Sequence, residues 1–412
     1  MNILIVSQYF WPENFIINDL VLKIKAQGHN ISVYTGKPNY PDGVIYPGYV
    51  SAGVQQEFYH DGVDVYRIPL RPRKSGGRKN IALNYLSFIY SGIKHAFNFS
   101  KDKKFDVVFV FAPSPITSVI PAILIKWLTR GHLAVWVQDL WPESIKATGY
   151  FKNSLILGSV RLLVRAIYYF SDTILVQSRR FIPAVASLSN EKKVIYYPNS
   201  VLDSLALDPS AYPLPTDFLD LMSTNFCIVF AGNIGTAQAL DIITQAAERL
   251  KKHKKIKIVL IGSGSRASWV KEEIENKNLT NLVLAGRYEA KAMPFIYSKA
   301  AGLLVSLNNS EIFSYTIPSK IQSYLAAGKP IIASLDGEGA KVITDSGAGF
   351  VSPAGNADLL IKNIEQLYSL SPHEREKMGA LGRAYFLKHF EMENQSQRLI
   401  EILKKRIEGE VA

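Results

Sequence analysis

Cysteine is almost absent from this sequence: Cys227 is the single cysteine among 412 residues. A framework of disulfides within the chain is therefore excluded, and such low cysteine usage is typical of proteins in a reducing compartment. Cys227 lies inside the apolar run Phe226–Phe230, so we expect it to be a small core residue. On this ground the sequence predicts a cytoplasmic protein.

Long hydrophobic runs are also missing. The most apolar stretch, Ile116–Leu128, contains Lys126 and is shorter than the ~20 residues that a membrane-spanning helix needs. A strand is predicted at once at the start of the chain, with no basic leader before it, so we expect no signal peptide. These features predict a chain that is soluble or peripherally attached to a membrane.

Several catalytic signatures do not occur. The sequence has no His/Cys cluster at metal-ligand spacing, no GxSxG nucleophile motif and no complete GxxxxGK[ST] loop. Metal-dependent hydrolysis, acyl transfer and P-loop chemistry are therefore poorly supported, and we expect neither a metal nor another cofactor.

Acidic residues are outnumbered by basic ones, 35 against 47, which gives a net charge of +12. An excess of this size favours phosphate-bearing small molecules, nucleic acid or an anionic membrane surface as partners. Because no nucleic-acid-binding motif accompanies the charge, we expect no nucleic-acid partner.

Apolar runs alternate with amphipathic stretches in both halves of the chain, which predicts two α/β domains with doubly wound parallel sheets. We place the first domain at 1–197, a linker rich in Pro, Ser and Asp at 198–224, and the second domain at 225–390. The amphipathic tail, 391–412, is predicted to pack back on the first domain. The predicted strands are Ile3–Ser7, Asn30–Thr35, Val63–Ile68, Val107–Phe111, Leu133–Val137, Thr173–Val176, Lys193–Tyr196, Phe226–Phe230, Ile256–Ile261, Leu282–Leu284, Gly302–Val305, Ile331–Ala333 and Gly349–Val351.

A glycine-rich turn follows the strand at Phe226–Phe230. Gly232, Asn233, Gly235 and Thr236 lie in this turn, directly before a helical pattern. Glycine lets a ligand approach the backbone closely, and a helix N-terminus favours an anion. These residues predict a phosphate site, although the same glycines would also suit a tight turn without a ligand.

Later loops of the second half repeat this arrangement, and loops after parallel strands lie at one edge of a sheet. Pro318 begins a helix in which Ser319 and Lys320 would offer a hydroxyl, amides and a cation to a diphosphate. Gly262, Gly264 and Arg287 are predicted to bind the same ligand, and Glu338 ribose hydroxyls. We predict Lys320 and Arg287 as catalytic, with a solvated surface position as the alternative for Arg287.

The loop after the strand Ile3–Ser7 predicts part of a carbohydrate site. Gln8, Trp11, Glu13 and Asn14 combine polar groups with an aromatic ring, a mixture that suits a carbohydrate. The alternative is a rigid aromatic loop that ends where a helix starts.

The loop after Leu133–Val137 is similar. Asp139, at the end of the strand, is placed to take a proton from a hydroxyl nucleophile, with Gln138 and Glu143 beside the acceptor. Asp is also a favoured helix N-cap, and Glu143 would also stabilise a helix N-terminus, so a structural role remains open for both.

A basic loop leads into a helix rich in aromatic residues within the segment 67–99. Cations interleaved with aromatic rings suit an anionic membrane surface. The alternative is a solvated loop followed by a core helix.

Taken together, these motifs resemble the retaining glycosyltransferases of family 4, among them the bacterial O-antigen, capsule and colanic acid transferases and the L-fucosamine transferases. The resemblance covers both halves in the order of the family. It is carried by SQYFWPE (7–13), VQDLWPES (137–144), AGNIGTAQALD (231–241), AGRY (285–288), IPSKIQSYLAAGKPIIAS (317–334) and DGEGA (336–340).

The resemblance implies the GT-B fold, in which two Rossmann-like domains face each other across a cleft. It implies a UDP-sugar donor on the second domain, a lipid-linked polyprenyl diphosphate saccharide as acceptor on the first, and metal-independent transfer with retention of anomeric configuration. The expected sugar is an N-acetylated amino sugar such as N-acetyl-fucosamine, and the expected location is the inner face of the cytoplasmic membrane.

The sequence departs from the family at four positions. Asn233 and Gln238 stand where many members keep an Arg and a Lys, and Tyr315 and Ser323 where many keep two glutamates. Lys320, Arg287 and Glu338 are hypothesised to take over the lost contacts. Two alternatives remain: a UDP-sugar 2-epimerase of the same fold, and a catalytically silent nucleotide-sugar-binding assembly protein.

Overall fold

Apolar runs form the buried strands of two parallel sheets, one in each half of the chain. The computed structural model describes residues 1–74, 76–147, 153–203 and 214–409. Unit 1 comprises Met1–Asn199 and Met392–Ala412, and unit 2 comprises Ser200–Glu391. The predicted fold class, two α/β domains with doubly wound parallel sheets, is confirmed.

The sheet of unit 1 has eight strands in the order β3-β4-β2-β1-β5-β6-β7-β8. Neighbouring strands are parallel except β3 and β4, which are antiparallel. The sequence analysis missed β3, because its side chains alternate between partly buried and exposed and it contains no apolar run. The strands are β1 Asn2–Ser7, β2 Asn30–Gly36, β3 Gln55–Tyr59, β4 Val63–Ile68, β5 Val107–Ala112, β6 His132–Val137, β7 Thr173–Val176 and β8 Val194–Tyr196.

The helices of unit 1 include the last helix of the chain. Leu399 and Leu403 of α16 are fully buried in the same core as Ile24 of α1. Gln27 donates a 2.6 Å hydrogen bond to Ser396 Oγ, and the Tyr197 hydroxyl donates one of 3.1 Å to the carbonyl of Gln395. The helices are α1 Ile16–Ala26, α2 Arg78–Ser100, α3 Val119–Thr129, α4 Glu143–Ala147, α5 Ser154–Phe170, α6 Phe181–Ala186 and α16 Met392–Ile407.

The sheet of unit 2 has six parallel strands in the order β11-β10-β9-β12-β13-β14. Its central strand β9 is buried from Cys227 onward, and Cys227 is a core residue as expected. The strands are β9 Phe226–Ala231, β10 Ile256–Ile261, β11 Leu282–Gly286, β12 Gly302–Ser306, β13 Ile331–Ser334 and β14 Gly349–Ser352.

A helix occupies part of the predicted linker, which is a correction. Residues 216–224 form α7, and Phe218 and Met222 anchor it in the core of unit 2. These two apolar residues, four positions apart, are the signal that was overlooked. Linker residues 204–213 lie outside the described residues. The helices of unit 2 are α7 Thr216–Thr224, α8 Leu240–Arg249, α9 Ala267–Asn276, α10 Met293–Lys299, α11 Glu311–Tyr315, α12 Ser319–Ala326, α13 Glu338–Ser346, α14 Ala357–Ser369 and α15 Pro372–His389.

Strand order defines one switch point in each sheet, where successive connections leave in opposite directions. It lies between β1 and β5 in unit 1 and between β9 and β12 in unit 2. Ligands of open α/β sheets bind outside the carboxyl ends of the strands at such points. The loops after these strands are therefore the places to look for a site.

Two arginines of the basic segment 67–99 are engaged inside unit 1, which corrects the prediction for that segment. Arg67 is fully buried, donates a 2.5 Å hydrogen bond to Glu57 and also contacts the carbonyls of Gly36 and Trp11. Arg73 is only partly exposed and lies among tyrosine rings. Neither guanidinium is available to a membrane surface in this arrangement.

No helix within the described residues is both long enough and apolar enough to cross a membrane.

We predict that Leu403→Ala lowers the stability of unit 1 by about 2–5 kcal/mol, because it leaves a cavity where α16 packs in the core. Urea unfolding followed by tryptophan fluorescence is a suitable measurement, since Trp11, Trp127, Trp136 and Trp141 lie in unit 1. The exposed neighbour Lys404→Ala is the control and should change little. Equal midpoints for the two variants would contradict the packing of α16 described above.

Candidate active site

Three loops at the carboxyl edge of the second sheet are joined by backbone hydrogen bonds. The amide of Gly232, after β9, donates 2.9 Å to the carbonyl of Ile261 in β10, and the amide of Ile234 donates 2.9 Å to that of Ser263. The amide of Gly262 donates 2.7 Å to the carbonyl of Gly286 in β11. The three glycine loops thus form one surface at the edge where the sequence placed the donor.

Glycine is required at two positions of this surface. Gly232 and Gly262 have φ values of +135° and +139°, which residues with a side chain rarely adopt. A Cβ on Gly262 would lie 1.9 Å from the carbonyl oxygen of Gly232, and one on Gly232 would lie 2.7 Å from Cε of Lys320. The absence of side chains therefore lets the loops, and the lysine, approach one another.

Lys320 reaches this surface from the first turn of α12. Its Nζ lies 2.5 Å from Oε1 of Gln238 and 3.7 Å from the centre of the Phe230 ring. Burial lowers the pKa of Lys320 from 10.5 to about 7. Within the described residues no carboxylate forms an ion pair with Lys320. A cation held in this way is the kind of perturbed group that occurs at anion-binding and catalytic sites.

The position of α12 is fixed by a tyrosine that the sequence analysis did not single out. Tyr324 is fully buried, and its hydroxyl accepts a 2.9 Å hydrogen bond from the amide of Ala231 at the end of β9. This bond ties the helix that carries Lys320 to the strand that leads into the glycine loop. The two elements lie on either side of the switch point between β9 and β12.

A cavity of about 410 Å³ opens beside the glycine loops. Gly232, Asn233 and Gly262 line it, together with Arg287, whose side chain is exposed there. The volume lies within the range of small-molecule sites. Ser263 and Tyr288, which belong to the predicted loops after β10 and β11, also line the cavity. Met293 and Tyr297 line it as well and were missed, because their helix α10 has no pattern that distinguishes it from a packing helix.

The remaining predicted donor residues lie around these loops. Pro318 precedes α12, and Ser319 is exposed at its first position. Glu338 begins α13 and is buried, with the positive-φ residue Gly337 before it. Gly235, Thr236 and Gly264 belong to the same loops as Gly232 and Gly262, and Thr236 is exposed. The part that each plays in binding stays a prediction.

The loop between β9 and α8 departs from the predicted helix start. Residues 236–238 form a short 3-10 turn, and α8 begins at Leu240 after Ala239, which has φ = +45°. The Ser306 hydroxyl donates 2.6 Å to the carbonyl of Gln238, and the amide of Asn308 donates 2.9 Å to that of Ala237. The end of β12 therefore holds this turn, and with it the Gln238 side chain that contacts Lys320.

The other departures from the family pattern lie away from the cavity lining. The Tyr315 hydroxyl donates 2.7 Å to Glu311, and the Ser323 hydroxyl lies 3.4 Å from the carbonyl of Ser319. Asn233, by contrast, lines the cavity, and its amide nitrogen approaches Gly235 so closely that a Cβ there would lie 2.5 Å away.

Asp139 lies in a hydrogen-bonded polar cluster in unit 1, after β6. Burial raises the pKa of the Asp139 carboxyl from its usual value, and hydrogen bonds from Ser144, the amide of Leu140 and Ser114 partly offset this. The Tyr85 hydroxyl is hydrogen-bonded to Ser114 in turn. A carboxylate of raised basicity beside hydroxyl groups is suited to accept a proton or orient an alcohol.

Arg73 occupies a cage of three tyrosines near this cluster. Its guanidinium lies 5.0 Å, 5.3 Å and 5.5 Å from the ring centres of Tyr9, Tyr40 and Tyr85. Arg73 also donates hydrogen bonds to the hydroxyls of Tyr9 and Tyr85. Cation–π contacts therefore hold the guanidinium of Arg73 beside the polar cluster of Asp139.

Two predicted acceptor residues are corrected. Glu13 is 1% exposed, and its carboxylate accepts hydrogen bonds from the amides of Phe10, Asn39 and Tyr40 at 2.7–3.1 Å. Burial raises the Glu13 pKa to about 7. Gln8 is equally buried and donates 2.7 Å to Asn84. Both residues hold loops in place beneath the surface, because Glu13 accepts hydrogen bonds from backbone amides and Gln8 donates one to a side chain there.

The other predicted acceptor residues differ in accessibility. Asn14 is exposed, and Trp11 is partly buried with its ring 5.6 Å from that of Tyr59. Gln138 is partly buried, and its carbonyl accepts a 2.5 Å hydrogen bond from Gln177. Glu143 begins α4 and is partly exposed. Their contact with an acceptor stays a prediction.

The described part of the chain contains no group of three or more His, Cys, Asp or Glu side chains that could hold a metal ion. The expectation of metal-independent chemistry stays untested.

Comparison with solved structures shows the class of fold. The chain matches HepE of Anabaena in complex with UDP with a TM-score of 0.68, at 13% identity, over 98% of this chain and 100% of that one. It matches an E. coli structure described as "Trehalose-6-phosphate from E. coli bound with UDP-2-fluoro glucose" with a TM-score of 0.73, at 12% identity, over 98% and 99%. It matches sucrose-phosphate synthase of Thermosynechococcus elongatus with a TM-score of 0.72, at 13% identity, over 99% of this chain and 99% of that one. These likenesses show the GT-B fold.

Sequence comparison is more specific for unit 2. Residues 218–385 match the family model "Glycosyl transferases group 1". Over 98% of its length the chain is 21% identical to an E. coli (strain K12) protein described as "Putative colanic acid biosynthesis glycosyl transferase WcaI", all of which is covered. The matched segment contains the glycine loops, the cavity and Lys320.

We predict that Lys320 makes the unliganded protein more stable as pH rises from about 7 to about 10. Burial holds the folded-state pKa below that of the unfolded chain, so over this window the unfolded state binds more protons and the free energy of unfolding rises with pH. The contribution approaches about 1.4 kcal/mol per pH unit. It is measured as the difference in denaturant unfolding between wild type and Lys320→Met from pH 7 to 9.

The exposed Lys271→Met on α9 is the matched control and should follow wild type at every pH. If the free energy of unfolding depends on pH in the same way in wild type and in Lys320→Met, the lowered pKa of Lys320 is contradicted.

Proposed function

We propose that this protein is a glycosyltransferase that moves a sugar from a UDP-sugar to a lipid-diphosphate-linked saccharide in the biosynthesis of a surface polysaccharide. The observation that carries the proposal is the partly buried Lys320 beside three joined glycine loops, at the switch point of unit 2. A cation beside backbone amides is suited to bind an anion. The match of residues 218–385 to group 1 glycosyltransferases supports the same reading.

The donor is proposed to bind with its diphosphate against Gly232, Gly262 and Lys320. The amides of Ser319 and Lys320, the first two residues of α12, add hydrogen-bond donors at the helix N-terminus. Arg287 adds a second cation from the loop after β11. UDP is the proposed nucleotide because the structurally similar HepE was solved with it.

Transfer requires that negative charge on the leaving diphosphate be stabilised as the bond to the sugar breaks. Preorganised cations and amides commonly make the largest contribution to such a step. Lys320 and the α12 amides are proposed to act in this way, without a metal ion. Asp139 is proposed to orient the acceptor hydroxyl and accept its proton, and the transfer is proposed to retain the anomeric configuration.

The donor sugar is proposed to be an N-acetylated amino sugar, and the site of action the inner face of the cytoplasmic membrane. The likeness to a protein assigned to colanic acid biosynthesis supports a role in surface polysaccharide formation. The exposed cations that remain in the segment 67–99, such as Arg71 and Lys79, would contact anionic lipid.

We predict that UDP binding takes up about one proton at pH 8.5 and weakens about tenfold per pH unit above pH 7. The reason is that a diphosphate beside Lys320 raises its pKa from about 7, so binding favours the protonated form. Titration calorimetry in two buffers of different ionisation enthalpy measures both quantities. UDP affinity that is independent of pH, in wild type as in Lys320→Met, would remove Lys320 from the donor site.

Donor identity is tested first by thermal shift against UDP, GDP, dTDP and ADP and a panel of their sugars, since a ligand of the native state raises the midpoint. A shift with UDP and a larger one with a single UDP-sugar supports the proposal. A shift with no nucleotide would contradict it.

We predict that Asp139→Asn lowers transfer of labelled sugar from the UDP-sugar to a membrane lipid extract about 10²–10⁴-fold, while the thermal shift with UDP is unchanged. The reason is that Asn keeps the shape of the side chain but cannot take the proton. Asp102→Asn is the matched control: it removes the same charge from an exposed position whose φ of +59° asparagine also tolerates. Full activity in Asp139→Asn would overturn the assignment.

A further inference from the structure

A second cavity of about 370 Å³ lies in unit 1, and all of its lining residues belong to that unit. One end is polar and is formed by the cluster of Asp139, Ser114, Ser144 and Tyr85. The walls are apolar and come from two helices that flank it: Ile81 and Ala82 of α2, and Ile156 and Val160 of α5. A pocket of this kind suits a ligand with a polar head and a hydrocarbon tail.

The helix α2, which supplies part of the cavity wall, also carries exposed apolar side chains. Leu86 and Tyr90 follow Ala82 at intervals of four residues on α2 and are exposed. Neither α2, α5 nor the intervening helix α3 contains an aspartate or a glutamate. Exposed apolar surface of this extent marks an interaction site.

Charge identifies the chemistry of the occupant. Arg78, in the first turn of α2, lines the cavity, and Lys79 and Arg161 are exposed next to the lining residues Arg78 and Val160 on the same two helices. A purely apolar partner would gain nothing from these cations, whereas a phosphate attached to a hydrocarbon would be attracted by them. The polar end of the cavity would suit a saccharide. The basic residues would suit a diphosphate, and the apolar walls would suit a lipid chain.

We propose that this cavity binds the hydrocarbon segment next to the diphosphate of the acceptor lipid, with Arg78 at the phosphate and the saccharide at Asp139. The inference rests on the proposed function, because it assumes that the acceptor hydroxyl is presented to Asp139. It adds a binding site and a set of specificity residues: Ile81, Ala82, Ile156 and Val160 select for a lipid-linked acceptor. A saccharide without the lipid would lose these contacts.

Farnesyl diphosphate is a soluble probe that carries both a diphosphate and a branched hydrocarbon. Equilibrium dialysis should show that it binds wild type at least tenfold more tightly than inorganic diphosphate does. Ile156→Asn should weaken farnesyl diphosphate binding at least tenfold, because it places an amide in the apolar wall. The matched control is Leu155→Asn on the same helix, whose side chain is 79% exposed and does not line the cavity.

Two further measurements separate this site from the donor site. Lys320→Met should bind farnesyl diphosphate as wild type does, and the thermal shift with UDP should be the same in Ile156→Asn as in wild type, which also shows that the variant is folded. Unchanged farnesyl diphosphate binding in Ile156→Asn, or an equal loss in Leu155→Asn, would overturn the inference. If UDP binds but Ile156→Asn has no effect, the lipid site fails alone; if UDP fails to bind while Ile156→Asn still weakens the lipid probe, the proposed function fails and the lipid site stands.

Discussion

The partly buried Lys320 of unit 2 has the Phe230 ring on one side of its cation and the side-chain amide oxygen of Gln238 as its polar contact. Keeping a lysine there lowers its pKa and costs stability, because burial penalises the charged form. An anion brought to the glycine loops would remove this penalty and would be bound more tightly for that reason. The arrangement therefore links local instability to ligand affinity, as is common where a protein stabilises developing charge.

The parallel sheet brings the parts of this site together from distant positions. Gly232 and Lys320 are far apart in the chain, but they follow β9 and β12, which are neighbours at the switch point. The hydrogen bond that the amide of Ala231 donates to the Tyr324 hydroxyl then fixes the helix that carries the lysine. In unit 1 the same logic applies to Ser114 and Asp139, which follow the paired strands β5 and β6. Strand order thus determines which loops can act together.

Unit 1 distributes its positive charge in a way that composition does not reveal. Arg67 and Arg73 are used internally, by Glu57 and by a cage of tyrosines. The cations that remain exposed on α2 and α5 lie among apolar side chains and without acidic neighbours on those helices. The net charge of the whole chain therefore does not predict which ligand binds. The placement of exposed cations on two helices beside Asp139 indicates more specifically what this surface would attract.

The sequence by itself determined the fold class, the strands of both sheets apart from β3, and the positions of the glycine loops, because short apolar runs, turn residues and helix starts are local signals. It did not predict α7, whose two core residues are set in a stretch rich in proline, nor the burial of Gln8 and Glu13 beneath a loop that looks polar in the sequence. It could not foresee that Tyr324 supports the cavity and that Tyr297 lines it, since no local pattern separates them from other core aromatics. Only the tertiary structure decided the lowered pKa of Lys320 and the apolar cavity beside Asp139, because burial and cavities depend on which distant elements pack together.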